Sequence, residues 1–390
     1  MKVALISEWL DPWRGGAETS TVQFIHHLMD AGVELHVFTR SRPAPAPGLV
    51  VHTVSGAAMT RTRRSVTFAH RVERALRRAS FDVIHAISPC RGADLYQPRG
   101  GTVAETIERN VALRTSPAAR GLKRYGARLN LKQRYMLRME RELMGDESGP
   151  IVVALSEYVV RQLRHHYDLP DARIRKVFNG VEVDRSPASQ RAADRAAIRR
   201  EFAIAEGALL VLELAHNFRL KGVHRWMEAL ALLAERGATR VRSLIVGRGD
   251  SARWHRLAGR LGVRDRLVFV GPSDRVRELL HAADVLVHPT YYDPCSRVVL
   301  EAMSCGLPCI TTRWDGASEM IRTGENGFVL QEPTDISQLA DHVVTLMNRD
   351  DRQQMGKKAA QVAGRVGMDR HAKEMLTLYE EVRSTVRAER

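Results

Sequence analysis

At 390 residues with 44% apolar side chains, the chain is long enough for two domains of ordinary size and too apolar to be disordered. A formal net charge of +15 and a pI near 10.2 favour an anionic partner, whether nucleic acid, an anionic membrane surface or a phosphorylated substrate. No apolar run reaches transmembrane length, and "MKVALISEWLDPW" is too short for a secretory signal, so retention in the cytoplasm is expected. The four cysteines (Cys90, Cys295, Cys305 and Cys309) lack zinc-site spacing and read as reduced thiols.

In chain order, the first half opens on the strand "KVALIS". A loop with two tryptophans and "RGGAE" leads into the helix "AETSTVQFIHHLMDAG", and the strands "VELHVFT" and "FDVIHAIS" follow. Strand, helix and strand with short links predict a parallel α/β layer. The second half repeats the plan with the strand "LLVLELA" and the helix "GVHRWMEALALLAERG". Then come "VRSLIVG", "LVFVG", "RVRELLHAA", "DVLVHPT", "PCITT", "GASEMIRTG" and "GFVL" in alternation. The expected architecture is α/β: two doubly wound Rossmann-like domains facing across a deep cleft, with ligands at the carboxyl ends of the strands. The boundaries read as 1–180 and 181–365, joined at "VFNGVEVDRSPASQ", with a carboxy-terminal helix, 366–390, packing back.

Residues 109–141 break the alternation. They carry ten arginines or lysines against one acid, Glu140, with Tyr125, Leu129, Leu131, Tyr135, Met136 and Met139 interleaved. This is a basic amphipathic helical region. It fits a solvated face, and it fits the reading adopted, contact with an anionic membrane surface.

Gly15 and Gly16 lie between the first strand and the first helix, where glycine lets a backbone approach a ligand and a helix amino terminus favours anions. An ordinary tight turn has the same pattern. "HNFRLKGVH" repeats the arrangement: Arg219 and Lys221 follow a strand and precede a helix starting near Gly222, so a diphosphate would meet two cations and backbone N–H groups. "DPCSRVVLEAMSCG" adds two carboxylates, Asp293 and Glu301. Asp293 and Pro294 read as the N-cap and first residue of a helix with an apolar stripe through Val298, Val299, Ala302 and Met303, ended by Gly306 and Pro308. An ordinary cap with an edge glutamate fits this run. So does a donor site, in which Glu301 accepts from a ribose and Asp293, with the backbone N–H groups of Cys295, Ser296 and Arg297, takes the hydroxyls of a sugar. No Asp-x-Asp motif is present, so no metal ligands are assigned.

The segments "RGGAE", "VFNGVEVDR", "LKGVHRWMEALALL", "IVGRGD", "ADVLVHPTYYDPCSRVVLEAMSCGLPCITT" and "GASEMI…GENGFVL" resemble glycosyltransferase family 4, of the GT-B fold, over nearly the whole chain and most tightly over residues 210–330. Within that family the chain is most similar to lipopolysaccharide core glucosyltransferases. The resemblance implies a retaining transfer of a hexose from UDP-glucose to a membrane-associated glycolipid, without metal or other cofactor, by a protein peripheral on the inner face of the cytoplasmic membrane. It implies Asp293, Glu301, Lys221 and Arg219 as the catalytic set, with Gly15, Gly16, Gly222, Cys295, Ser296 and Arg297 on the donor. Acceptor-side candidates are Glu18, Asp94 and His85, of which Glu18 and Asp94 fit structural caps equally. The chain departs from the family in three places. The usual Glu-x7-Glu pair is Asp293-x7-Glu301, His216 stands where an arginine often precedes the lysine by five, and Ile87 stands where a second histidine often follows the "DVIHA" strand. Rival readings are another donor such as GDP-mannose, a nucleotide-sugar epimerase, a glycoside phosphorylase, or a nucleic-acid-binding protein. The last has the charge but no recognition motif or aromatic platform.

Overall fold

The computed structural model describes residues 1–43, 46–54, 60–114, 116–249 and 251–388. The chain forms two units: Met1–Gly180 together with Gly367–Arg390, and Val181–Val366.

In the first unit the strands are β1 (Lys2–Ile6), β2 (Glu34–Thr39), β3 (Leu49–Thr53), β4 (Val83–Ala86), β5 (Leu95–Tyr96), β6 (Ile151–Ala154) and β7 (Ile174–Lys176). They form one parallel sheet in the order β3-β2-β1-β4-β5-β6-β7. Val3 to Ile6 are all fully buried, as a central strand covered on both faces requires. One face packs against Phe24 and Leu28 of the Gly16–Asp30 helix and Met375 and Tyr379 of the Met368–Ala388 helix. The other packs against Phe68 and Val72 of the Arg61–Leu76 helix and Val159 and Leu163 of the Glu157–Tyr167 helix. The last helix of the chain thus completes the core of the first unit.

The second unit holds β8 (Leu209–Leu214), β9 (Val241–Val246), β10 (Leu267–Gly271), β11 (Val285–His288), β12 (Cys309–Thr312) and β13 (Gly327–Leu330). Their order, β10-β9-β8-β11-β12-β13, is again all parallel. Trp226, Met227, Leu230 and Leu233 of the Val223–Glu235 helix are all fully buried and pack with Val211 and Ile245 of the sheet. In both units the strand order reverses once, between β1 and β4 and between β8 and β11. A crevice opens outside the carboxyl ends of the strands at such reversals.

Glu213 of β8 lies on the same face as Val211, fully buried, and neither carboxylate oxygen has a hydrogen-bond partner. Burial alone pushes its pKa well above the ordinary value of 4.5. The unfolded chain therefore ionises this group first, and stability falls as pH rises above about 4.5. Glu213→Leu is expected to stabilise the protein by about 1–3 kcal/mol at pH 8 and less at pH 5. Urea midpoints at the two pH values check this, and an equal shift at both would show that ionisation is not the cause.

The basic stretch forms three helices, Val103–Ala112, Pro117–Leu129 and Leu131–Gly145, with Thr115 outside the described residues. The Pro117–Leu129 helix buries none of its residues. Leu122, Tyr125 and Leu129 share one of its faces and are 74%, 61% and 60% exposed, and Leu131 follows at 67%. Lys123, Arg124 and Arg128 lie on the flanks and back of this helix, and Lys132 is in the first turn of the next. None of these four has an ion-pair partner among the described residues. The carboxyl half differs from expectation: Met139 and Glu140 face the core rather than solvent. Glu140 accepts from Tyr167 Oη (2.5 Å), Val103 N (2.8 Å) and Tyr96 Oη (3.3 Å), and burial pushes its pKa up to about 7 despite these bonds. It anchors an otherwise exposed arm. No helix among the described residues is long and apolar enough to cross a membrane.

Candidate active site

The second unit's reversal point is built from two loops. The loop after β8 ends at Gly222, the N-cap of the Val223–Glu235 helix. Gly222 has φ +79°, and a Cβ there would stand 2.0 Å from the Pro289 carbonyl oxygen. Only glycine permits this approach of the β8 loop to the β11 loop. Tyr291 N donates to the Leu220 carbonyl (2.9 Å), which ties the same loops together. The turn after β9 joins them: Gly247 has φ +130°, and a Cβ there would meet the Ala215 oxygen at 1.8 Å. Asp250, in the "IVGRGD" segment, lies outside the described residues.

Lys221 is thereby brought onto the β11 loop. Its Nζ donates to Asp293 Oδ2 (2.5 Å) and to the Tyr292 carbonyl (3.1 Å). An ammonium has three hydrogens, so one N–H can serve a further acceptor. Burial tends to raise the Asp293 pKa, but the Lys221 ammonium and His288 outweigh it and hold the group at about 2. Asp293 is therefore ionised at neutral pH. Arg219 lies half-buried on the same loop as Lys221. Burial, Arg225 and then Arg219 together lower the His224 pKa to about 3.

The helix of the opening carboxylate pair begins later than expected. It spans Arg297–Ser304 with Ser296 at the N-cap, so Asp293 and Pro294 precede it. The physical reason is Asp315, which sequence reasoning missed. Asp315 is fully buried and accepts from Ser296 N (3.0 Å), Ser296 Oγ (2.6 Å), Thr311 Oγ1 (2.9 Å) and Ala317 N (2.9 Å). Meanwhile Asp293 N donates to the Trp314 carbonyl (2.9 Å) and Gly316 N to the Asp293 carbonyl (3.0 Å), which holds Asp293 extended beside 314–316. Burial and the neighbouring Asp293 push the Asp315 pKa up. The one signal for Asp315 in the sequence was an Asp-Gly turn directly after β12.

The backbone N–H groups assigned to a sugar are partly committed. Cys295 N donates to Asp293 Oδ1 (3.3 Å) and Ser296 N to Asp315. Arg297 enters through its side chain: its buried guanidinium donates to Glu301 Oε1 at 2.8 Å, one helical turn away. This holds the half-buried Glu301 carboxylate with its second oxygen available for acceptance.

In the first unit, Gly15 caps the Gly16–Asp30 helix at the reversal between β1 and β4. A Cβ on Gly15 would lie 3.3 Å from Glu18 Oε2, so the Glu18 carboxylate curls back over the helix mouth. A first-turn acid there also complements the helix dipole, which is the structural role the sequence left open. The other two acceptor-side candidates are placed elsewhere. Asp94 precedes β5 at the amino end of the strands, and its Oδ2 accepts from Ile84 N (2.7 Å), at the sheet edge opposite the ligand edge. His85 is fully buried within β4, where Nδ1 bonds Tyr379 Oη (2.7 Å), and burial depresses its pKa to about 3. Alternation along β4 turns it into the core.

Among the described residues no metal-ligand cluster includes Asp293, Glu301 or Lys221. Asp184, His281 and Cys305 bring ligand atoms within 4.8 Å of one another, but the His281 nitrogens are bonded to Asp194 (2.7 Å) and Asp184 (3.1 Å), and Arg191 pairs with Asp184 (3.0 Å). This is a buried ion network.

Comparison with known proteins bears on both units. Residues 14–185 match the family Glycosyltransferase Family 4, and residues 194–362 match Glycosyl transferases group 1. The chain is 26% identical over 326 residues to the lipopolysaccharide glucosyltransferase WaaG of Escherichia coli (strain K12), covering 83% of this chain and 84% of that one. It is 28% identical over 414 residues to a D-inositol 3-phosphate glycosyltransferase of Corynebacterium efficiens, covering 98% and 95%. A crystal structure of WaaG, a glycosyltransferase involved in lipopolysaccharide biosynthesis, superposes with a TM-score of 0.82 at 24% identity, over 97% of this chain and 99% of that one. Sucrose-phosphate synthase from Thermosynechococcus elongatus gives 0.77 at 20% identity, over 98% and 99%. With two parallel Rossmann-like units, each matched by its own family model, the chain is a glycosyltransferase of the GT-B fold and belongs to the family-4, group-1 glycosyltransferases.

Proposed function

We propose that the protein is a retaining, metal-independent hexosyltransferase that moves glucose from UDP-glucose to a membrane-associated glycolipid such as lipopolysaccharide core, at the inner face of the cytoplasmic membrane. The observation that carries the donor half is Lys221 at the mouth of the Val223–Glu235 helix, joined to Asp293. A diphosphate resting at Gly222 receives the first N–H groups of that helix, the remaining ammonium N–H and the charge of Arg219. All three strengthen as negative charge develops on the departing UDP. Charge compensation of this kind is what a divalent ion would otherwise provide. Glu301, held by Arg297, accepts from the ribose hydroxyls, and the ionised Asp293 accepts from hydroxyls of the hexose. The acceptor hydroxyl approaches the face that UDP leaves, the departing phosphate oxygen takes its proton, and the anomeric configuration is kept. In the first unit, Gly15, Gly16 and Glu18 form the corresponding ligand edge.

The relative named for lipopolysaccharide glucosyl transfer supports this choice of donor and acceptor, and the exposed cationic arm supports a membrane-held acceptor. Calorimetry with UDP and with UDP-glucose, with and without EDTA, tests the donor site. Glu301→Gln is expected to weaken UDP binding by roughly tenfold, the scale of one hydrogen bond to a charged group. Asp293→Asn should leave UDP affinity near wild type and weaken the intact donor. Unchanged UDP affinity in Glu301→Gln removes Glu301 from the ribose, and loss of transfer with EDTA removes the metal-free mechanism.

A further inference from the structure

His288 ends β11 and is 1% exposed, yet neither ring nitrogen has a hydrogen bond. Its backbone is fixed: the His288 carbonyl accepts from Thr290 N (2.7 Å) and Thr311 Oγ1 (3.0 Å), and the residue pairs with Thr311 in the sheet. The ring is therefore held in place beside one group. Nε2 lies 3.6 Å from Asp293 Oδ2, just beyond hydrogen-bond reach, and that same oxygen holds Lys221 Nζ at 2.5 Å. One carboxylate oxygen thus has a tightly bonded cation on one side and an imidazole on the other that lies within ion-pair distance but is not hydrogen-bonded. A buried imidazole left unsatisfied is costly unless a state of the protein uses it.

We propose that His288 is a positioning residue that takes over Asp293 when Lys221 turns to the diphosphate of a nucleotide donor. This rests on the donor reading above. A diphosphate carries more negative charge than one carboxylate, and the four-carbon lysine stem is flexible, so the ammonium's shortest contact moves to the ligand. Asp293 then loses its main counter-charge while Asp315, a second carboxylate, stays beside it. Two carboxylates with no cation between them favour protonation of one. A small shift brings Nε2–H onto Oδ2 and keeps Asp293 ionised and oriented. Asp293 and Asp315 both respond to His288, and Lys221 shares Asp293 with it. The exchange links the charge on the leaving group to the orientation of the residue that holds the hexose.

Two experiments test this. The first needs no donor. In protein carrying 15N-histidine, Lys221→Ala removes the competing cation. His288 is expected to gain an exchange-protected Nε2–H resonance that the unliganded wild type lacks. An unchanged His288 ring spectrum overturns the proposal. The second compares His288→Leu, which removes the donor, with His288→Gln, which keeps an N–H close to the Nε2 position. His288→Leu is expected to lower kcat about tenfold with UDP affinity within twofold of wild type, and His288→Gln to recover at least half of wild-type kcat. Wild-type kcat in His288→Leu, or His288→Gln no better than His288→Leu, overturns it. If His288→Leu fails to fold, His288→Gln and the ring spectrum still decide. If the wild type binds no UDP, the donor reading falls, while the spectrum of Lys221→Ala separately decides the exchange of partners.

Discussion

Lys221→Ala is expected to lower transfer by on the order of 10²-fold or more in a protein that still folds, the usual scale for removing one preorganised charge partner of a developing anion. Lys221 has two tasks in the structure, and both fail in the variant. The leaving diphosphate loses its ammonium N–H, and Asp293 loses one of the two groups, Lys221 and His288, that together outweigh its burial and hold its pKa at about 2. The second loss is visible without any substrate. A carboxylate whose folded pKa lies below its ordinary 3.8 contributes stability above that pH and loses it as pH falls towards 2. The whole shift is on the order of 2 kcal/mol at neutral pH, and because His288 stays beside Asp293 in the variant, only part of it is lost. Urea unfolding should therefore separate wild type from variant at pH 7 and bring them closer together at pH 3. Turnover near wild type in folded Lys221→Ala removes Lys221 from the chemistry, and an equal stability difference at both pH values removes the pair as its cause.

Replacing Lys123, Arg124, Arg128 and Lys132 together with glutamine is expected to abolish binding to phosphatidylglycerol vesicles. Each cation near an anionic surface contributes about 1 kcal/mol, so four together account for roughly 10³-fold in partitioning. The Pro117–Leu129 helix buries nothing, and its Leu122, Tyr125 and Leu129 face is open, so the fold does not require these cations and an interface can use them. Raised salt should release the wild type, because screening shortens the reach of each charge. UDP binding should be unchanged, since Lys221 and Glu301 belong to the other unit. Sedimentation of the variant with anionic vesicles, or of the wild type with neutral ones, would reduce the arm to a solvated face.

The sequence was most legible where one element is long and has one period. All six strands of the second unit announce themselves as apolar runs bounded by turn residues, and the central ones, β8, β9, β11 and β12, are apolar because the sheet is covered on both faces. In the first unit β5 is two residues, Leu95 and Tyr96, too short to notice, and β3 is a partly exposed edge whose run is broken by His52. The candidate site divides the same way. Lys221 and Gly222 were readable, because a strand, a loop and a helix start are local signals. The start of the Arg297–Ser304 helix was not. A preferred capping residue stood at Asp293 and keeps Cys295 N, but Ser296 N went to Asp315, nineteen residues beyond and visible only once β12 lies beside β11. Asp94 and His85 misled for a related reason: chemical type is local, while the edge or face of the sheet a side chain occupies is not.

The return of the chain to the first unit at Gly367 bears on how the protein is made. Met375, Leu378 and Tyr379 close the sheet face that Phe24 and Leu28 begin, and they leave the ribosome only after the whole of the second unit. The second unit, continuous from Val181 to Val366, is fully translated before them. Synthesis usually lets the amino-terminal domain fold first. In this chain the order is reversed: the nascent first unit is left with an uncovered apolar face and a His85 without Tyr379 until the helix from Met368 emerges, and termination anywhere before Met368 yields a finished second unit attached to an open sheet.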